Sequence, residues 1–240
     1  MQLENKKVLT FDCYGTLIDW EKGIIEAMQP ILMANGIKIS DDEILIQFGL
    51  TEHVVQSESP GMLYSQVLEE VVHKFGKKYG FNPTKSQAES FGMSIKNWKP
   101  FPDTVAGLQK LARFFKIIIV SNIDNTSIAT TVPHLGIDFY KIFTAQEMGA
   151  YKPDKKVFSY VFEKLSNKGI QKNDILHVAE SIFHDHIPAK DLNLDSVWIN
   201  RQFDKNTTGA TPIVDKVYIP DFQFNTLLDF AMWVEEKMIG

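Results

Sequence analysis

Five short runs rich in β-branched and apolar residues punctuate the chain: 8–11 (VLTF), 116–120 (KIIIV), 141–144 (KIFT), 175–179 (ILHVA) and 196–199 (SVWI). Between most of them lie stretches with apolar residues at helical spacing. Buried strands alternating with helices have one economical arrangement, a parallel sheet with crossover helices. The fold expected is therefore α/β, a Rossmann-like doubly wound parallel sheet.

The rhythm breaks once. About a hundred residues separate the first run from the second without a convincing strand. They hold amphipathic segments near 21–35, 41–56, 61–79 and 84–95. The stretch NWKPFPDT, with two prolines, reads as a re-entry linker, and VAGLQKLARFF as the helix that returns to the sheet. Residues 20–99 are thus expected to be a helical domain inserted after the first strand, with 1–19 and 100–240 forming the α/β core. The segment DKNTTGATP at 204–212 reads as a turn-rich surface loop, and MWVEEKMIG as an amphipathic final helix.

Composition narrows the partners. With 44% hydrophobic residues the 240-residue chain can bury a large core, and its net charge of −5 comes with no basic stretch, so no nucleic-acid partner is expected. No run approaches the ~20 apolar residues of a membrane helix, which makes a soluble cytoplasmic protein the expectation. The single cysteine, Cys13, excludes an internal disulfide and reads as a buried small apolar residue. Apolar surface on the inserted helices near 48–75 suggests a homodimer.

Open parallel sheets bind ligands at the carboxyl ends of their strands, and polar residues stand at four such ends. Asp12 follows the first run, Ser121 and Asn122 the second, Glu180 the fourth, and Lys152 comes seven residues after Ala145, which closes the third. Any one of these alone is a turn residue or a surface charge. Four in this order form a candidate site.

In order along the chain, FDCYGTL, VSN, YKPD and HVAESIFHDHIPAKDLNLDSVWINR resemble the four motifs of the haloacid dehalogenase superfamily. Over nearly its whole length the chain is similar to the branch containing the 2-haloacid dehalogenases, and residues 20–99 stand where that branch carries its cap. The resemblance implies Asp12 as a nucleophile that forms an ester with the substrate, later hydrolysed by water. It implies Thr16, Ser121 and Asn122 as donors to substrate oxygens, Lys152 as the cation holding Asp12 ionised, and Asp185 as the anchor of Lys152 or of the hydrolytic water. The implied substrate is a small carboxylic acid, and no cofactor is required.

Tyr14 separates branches of the superfamily. Phosphatases usually carry an aspartate there to protonate a leaving alkoxide, and a phenol of pKa ~10 is a poor replacement near neutral pH. Halide departs without a proton, so Tyr14 favours substitution at carbon. Other features depart from the dehalogenases. Their cap arginine is missing, since the only arginines are Arg113 and Arg201; Phe158 replaces a tyrosine, with Tyr160 nearby; and Glu180 and Ile182 replace a serine and an asparagine. An acid at 180, five residues before Asp185, revives a magnesium set of Asp12, Tyr14, Glu180 and Asp185, with pairing of Glu180 to Lys152 as the metal-free alternative. TFDCYGTLIDWE, SNID and AESIFHDHIPA also resemble hydrolases that open the ring of azetidine-2-carboxylate, whose cationic nitrogen would suit Asp124 and Glu180. A magnesium-dependent phosphatase and an inactive binding protein are the remaining alternatives. Among the aromatic residues in or beside the cap, Trp20, Phe48 and Trp98 are candidate pocket walls. The HDH at 184–186 is not expected to bind metal, because helical neighbours two apart do not share a face.

Overall fold

The computed structural model describes residues 3–203, 210 and 220–239, so the loop expected at 204–212 lies outside the described residues except for Ala210. Six strands, β1 (Val8–Phe11), β2 (Lys116–Ser121), β3 (Lys141–Thr144), β4 (Ile175–Ala179), β5 (Ser196–Ile199) and β6 (Phe222–Phe224), form one parallel sheet in the order β3-β2-β1-β4-β5-β6. The chain winds outward from β1 to β3 and returns to β4, so the direction of winding reverses between β1 and β4. That reversal opens a crevice at the carboxyl edge, where open α/β sheets take their ligands.

Among the described residues ten α-helices accompany the strands: α1 (Trp20–Ala34), α2 (Asp41–Glu58), α3 (Tyr64–Tyr79), α4 (Lys85–Gly92), α5 (Thr104–Leu111), α6 (Asn125–Thr131), α7 (Ala145–Met148), α8 (Lys155–Ser166), α9 (Ile187–Asp191) and α10 (Leu227–Ile239). Strand side chains alternate between two buried layers, as the two-residue period of a strand requires. Leu9, Phe11, Ile117, Ile119, Leu176 and Val178 join Leu108 and Leu111 of α5 and Leu227, Phe230 and Val234 of α10. Val8, Ile118, Val120 and Ile175 join Val157, Phe158, Val161 and Leu165 of α8. Helices therefore cover both faces. The last helix begins at Leu227, earlier than the run at 232 suggested.

The first four helices stand between β1 and β2 as a helical cap. Where the chain leaves and re-enters the sheet, Ile18 bridges Pro100, Asp19 N–H donates to Lys99 O at 2.8 Å, and the Thr104 hydroxyl donates to Leu17 O at 2.8 Å. The cap helices start on side-chain caps, Asp19 for α1, Ser40 for α2 and Thr84 for α4, each accepting from a backbone N–H that the helix leaves unpaired. Their inner faces bury Ile24, Met28, Ile44, Phe48, Val67, Leu68, Val71, Phe75 and Phe91. Gly23 lets α1 lie flat on the Trp98 indole, since a Cβ at 23 would run into that ring. On the outer face of α2, Ile46, Leu50 and Val54 are exposed at four-residue intervals.

Candidate active site

Asp12 directly follows β1, and its N–H extends the ladder by donating to Val178 O of β4 at 3.1 Å. The chain then turns tightly: Leu17 N–H donates to Cys13 O at 2.7 Å and Gly15 N–H to Ile18 O at 2.9 Å. Gly15 sits at φ +92°, and a Cβ there would lie 3.1 Å from Trp20 Nε1, so only glycine fits between the loop and the cap. Cys13 points into the core, where burial pushes its thiol well above the ordinary range.

The turn brings Thr16 back onto the nucleophile candidate. Its hydroxyl donates to Asp12 Oδ2 at 2.7 Å and accepts from Glu180 N–H at 2.9 Å, tying the ends of β1 and β4 together. Lys152 Nζ donates to Asp12 Oδ1 at 2.8 Å, to Asp185 Oδ1 at 2.8 Å and to Val120 O at 3.1 Å. An ammonium has three donors, and all three are used. Asp185 Oδ1 also meets His177 Nε2 at 2.8 Å, and His177 Nδ1 meets the Thr10 hydroxyl at 2.9 Å beneath it. Asp185 Oδ2 has no hydrogen-bond partner among the described residues.

Asn122, expected as a donor to substrate oxygens, lines the cavity described below, and its amide also braces the main chain of Lys152. Its Nδ2 donates to Lys152 O at 3.0 Å and its Oδ1 accepts from Lys152 N–H at 2.7 Å. It fixes the backbone from which Lys152 reaches inward. Arg201 holds the nucleophile turn from outside, donating to Thr16 O and, through Nη1, to both oxygens of Asp103 at 2.8 and 2.9 Å.

These charges are buried together. Burial raises the Asp12 carboxyl against the downward pull of Lys152, while the neighbouring Asp185 adds to the rise. Asp185 is equally buried, yet Lys152 and His177 hold it well below the usual carboxylate range. Lys152 remains an ammonium because the two carboxylates outweigh its desolvation.

A cavity of about 40 Å³ separates this cluster from the cap, lined by Asp12, Ser121, Asn122, Lys152, Glu180, Ser181, His184 and Asp185 below and by Tyr14, Trp20, Glu52 and Tyr64 above and beside it. One water needs roughly 10–15 Å³ by such a measure, so the space suits a molecule of a few heavy atoms. Tyr14 presents its ring, because its hydroxyl is bonded to Thr131 Oγ1 at 2.7 Å and is pushed well above the ordinary phenol range by burial. Three expected pocket residues are elsewhere. Phe48 is cap core, edge-on to Trp20 and Phe91; Trp98 packs behind Tyr14 with ring centroids 5.8 Å apart; and Asp124 caps α6 through Ser127 while accepting from Ser65 N–H of α3 at 3.2 Å. Each satisfies a packing or capping need that residue type alone does not reveal.

Glu52, Tyr64, Ser181 and His184 are the residues that sequence reasoning missed. Glu52 is 5% exposed on α2; its Oε1 accepts from Gln56 Nε2 at 2.7 Å, and the Tyr64 hydroxyl also bonds it. Burial still pushes its carboxyl up to about 7. His184, on a π-helical turn at Ile182–His186, is driven down to about 4 by desolvation and is neutral near pH 7. The wider π turn carries His184 to the cavity and Asp185 to Lys152, while His186 is buried against Ser196 and Ala179 O.

Three members of the magnesium set have other partners: the Lys152 ammonium takes Oδ1 of both Asp12 and Asp185, and the Tyr14 hydroxyl is turned to Thr131. Among the described residues no three His, Cys, Asp or Glu side chains gather as a metal site.

Fold and site together define a class: a doubly wound α/β enzyme with an aspartate at the end of its first strand, a lysine joined to it from the segment that follows the third, and a helical cap over both. Residues 9–199 match the haloacid dehalogenase-like hydrolase family, and the chain belongs to it. Among solved structures, the L-2-haloacid dehalogenase of Xanthobacter autotrophicus with chloropropionic acid covalently bound superposes with TM-score 0.78 at 18% identity, over 96% of this chain and 98% of that one. The L-2-haloacid dehalogenase PA0810 gives 0.77 at 20% identity, over 96% and 99%. A HAD-hydrolase of Bacillus subtilis, YfnB, bound to magnesium, gives 0.74 at 19% identity, over 96% and 99%. At such identities the likeness is one of fold. The rhythmically expressed gene 2 protein of Drosophila melanogaster is 26% identical over 112 residues, which are 44% of this chain and 43% of that protein.

Proposed function

We propose that this hydrolase displaces a leaving group from the 2-carbon side of a small carboxylic acid through an ester on Asp12. The observation that carries the reading is the Lys152 ammonium bonded to both Asp12 and Asp185, which supplies to the nucleophile the positive charge that a metal would otherwise bring. An Asp12 oxygen attacks the carbon from the sheet edge, the bond to the leaving group breaks with its electron pair, and the acid is held as an ester. Water then adds to the Asp12 carbonyl carbon. Asp185 Oδ2, buried and without a partner, accepts the water's proton as the ester collapses to aspartate and a 2-hydroxy acid. The 40 Å³ cavity beneath the cap favours short acids and excludes bulk water during attack.

Carbon-centred chemistry is favoured over phosphoryl transfer because Tyr14 has its hydroxyl on Thr131 and no acid stands two residues after the nucleophile. Ring opening at a carbon-nitrogen bond is the second reading, and a specific observation favours it: the cap offers the cavity the carboxyl of Glu52 where an arginine would be needed for an anion.

The test is a single turnover in ¹⁸O-water with enzyme in excess, followed by peptide mass analysis. Label is expected in the Asp12 side chain, and Asp12→Asn is expected to lose turnover by about 10³-fold or more. Label appearing only in the product, with the Asp12 peptide unlabelled, would refute the ester. A panel of 2-chloropropionate, azetidine-2-carboxylate and phosphate esters, with and without magnesium, then separates the leaving groups.

A further inference from the structure

Near neutral pH the cavity wall brings one cation and several acids together, and the cation is spent. Among the described residues Lys152 is its only Lys or Arg, and all three ammonium donors are already used on Asp12, Asp185 and Val120 O. The two arginines serve elsewhere, Arg113 on Glu235 and Arg201 on Asp103 and Thr16 O. Against this stand the carboxyls of Asp12, Glu52 and Asp185. Among the described residues that line the cavity, no further cation is left to answer an entering carboxylate.

Two further observations point to what does fit. Asp185 Oδ2 lies in a fully buried side chain on this cavity with no partner, an acceptor waiting for a donor. The Trp20, Tyr14 and Tyr64 rings line the same space, and aromatic faces attract a desolvated cation by about 0.5–2 kcal/mol each.

We propose that Glu52 is the cap's counter-ion for a cationic nitrogen of the substrate, held between its carboxylate and the Trp20, Tyr14 and Tyr64 rings. The substrate class is then a small acid that also bears an amine, and a plain haloacid lacks the group this cap is built to hold. This rests on the Asp12 ester reading for the chemistry, but the recognition is separable from it.

In the empty cavity Glu52 holds its proton up to about 7, because burial outweighs its bonds from Tyr64 and Gln56. An entering ammonium stabilises the carboxylate, so binding below that value expels a proton. The groups around Glu52 are Tyr64 from α3, Tyr151 from the segment before Lys152, Tyr14, Lys152, Asp12 and Asp185 from the sheet edge, Glu180 and His184 beyond β4, and His53 and Gln56 on its own helix. Burial pushes Tyr14, Tyr64 and Tyr151 above their ordinary range and drives His184 down to about 4, so neither the tyrosines nor His184 change charge between pH 6 and 8.

The experiment titrates the full chain with dimethylammonium, acetamide and acetate, followed by the indole N–H resonance of Trp20. At pH 8 dimethylammonium is expected to bind at least about tenfold more tightly than acetamide, with acetate weakest, and to weaken about fivefold from pH 7 to pH 6. In Glu52→Gln the ammonium affinity is expected to fall about tenfold and its pH dependence to vanish. Acetate binding as well as dimethylammonium, an unchanged pH profile in the variant, or no ammonium binding at all would each overturn the proposal. If the variant does not fold, the three-probe ranking and the pH profile of the unmodified protein decide alone. Label in Asp12 from ¹⁸O-water is independent of every one of these outcomes.

Discussion

Lys152 is the residue on which the site turns. It is a buried ammonium whose three donors are all satisfied by the groups it organises, and removing it strands two buried carboxylates without their cation. Breaking a buried ion pair by deleting one partner typically costs about 3–5 kcal/mol. Lys152→Met is therefore expected to destabilise the fold by an amount of that order and to abolish turnover. Its loss of stability should be larger at pH 8 than at pH 5, because the stranded carboxyls escape the penalty by taking up protons; chemical denaturation at the two values checks this. Asn122→Ala leaves the ammonium in place but frees its backbone, so kcat is expected to fall about 10- to 100-fold with KM nearly unchanged, measured on whichever acid the panel selects. Asp12, Thr16, Lys152 and Asp185, which the structure gathers within hydrogen-bond reach, were legible because each stands in a motif at a strand end. The bonds of Asn122 were not legible, since they run to the main chain of a residue 30 positions away, and no residue type announces that. Asp124 carried a signal that was available and passed over: with Ser127 three places on, it has the spacing of a helix cap.

At the scale of elements, α2 shows why a functional residue escaped. Its apolar residues are spread around the helix, with Ile44, Phe48 and Val55 buried and Ile46, Leu50 and Val54 exposed, so periodicity assigns Glu52 to no particular face. Once buried, Glu52 makes α2 sensitive to pH. Its carboxyl rises from 4.5 to about 7 on folding, so the folded state prefers the proton. That preference is fully expressed below the unfolded value and is lost as pH rises through about 7, where ionising the buried group costs on the order of 3 kcal/mol. Glu52→Gln, which is always neutral, should thus match the parent in stability near pH 4.5 and exceed it by about 2–3 kcal/mol at pH 8. Thermal denaturation at both values measures the difference, and equal stabilities at pH 8 would mean that Glu52 already has a cation beside it. The strands were legible for the opposite reason: β1, β3, β4 and β5 coincide with the apolar runs because strands buried on both faces need apolar residues at most positions. Strand β6 is only three residues, FQF, at the sheet edge, too short for a pattern to register.

The whole molecule is a sheet that presents Asp12 at its carboxyl edge and a helical cap over it, and in the proposed ester chemistry activity depends on how the two are joined. The hinge at Ile18 and Pro100 was signalled by the prolines of the re-entry linker. The closing contacts on the far side were not, because they form between segments distant in sequence. There, Ser65 N–H of α3 donates to Asp124 Oδ2 at 3.2 Å, and the Tyr151 hydroxyl donates to Met62 O at 2.7 Å. Asp124 thus does two jobs, capping α6 through Ser127 and holding the start of α3 to the core. Substituting it by alanine removes both, while Ser127→Ala removes only the hydroxyl contact within the cap of α6. Asp124→Ala is expected to cost about 1–2 kcal/mol, the usual magnitude for a lost helix cap, and to open the cap more often. Opening would be read at the Ser65 amide, whose hydrogen exchange should accelerate about tenfold or more beyond any change in global stability. Ser127→Ala should leave that local excess absent. KM should rise more than kcat falls in Asp124→Ala, because an open cap releases substrate while Lys152, Asp12 and Asp185 keep their geometry on the sheet. A variant that exchanged Ser65 at the parent rate would place the latch at Tyr151 and Met62 instead, and Tyr151→Phe would then show the acceleration.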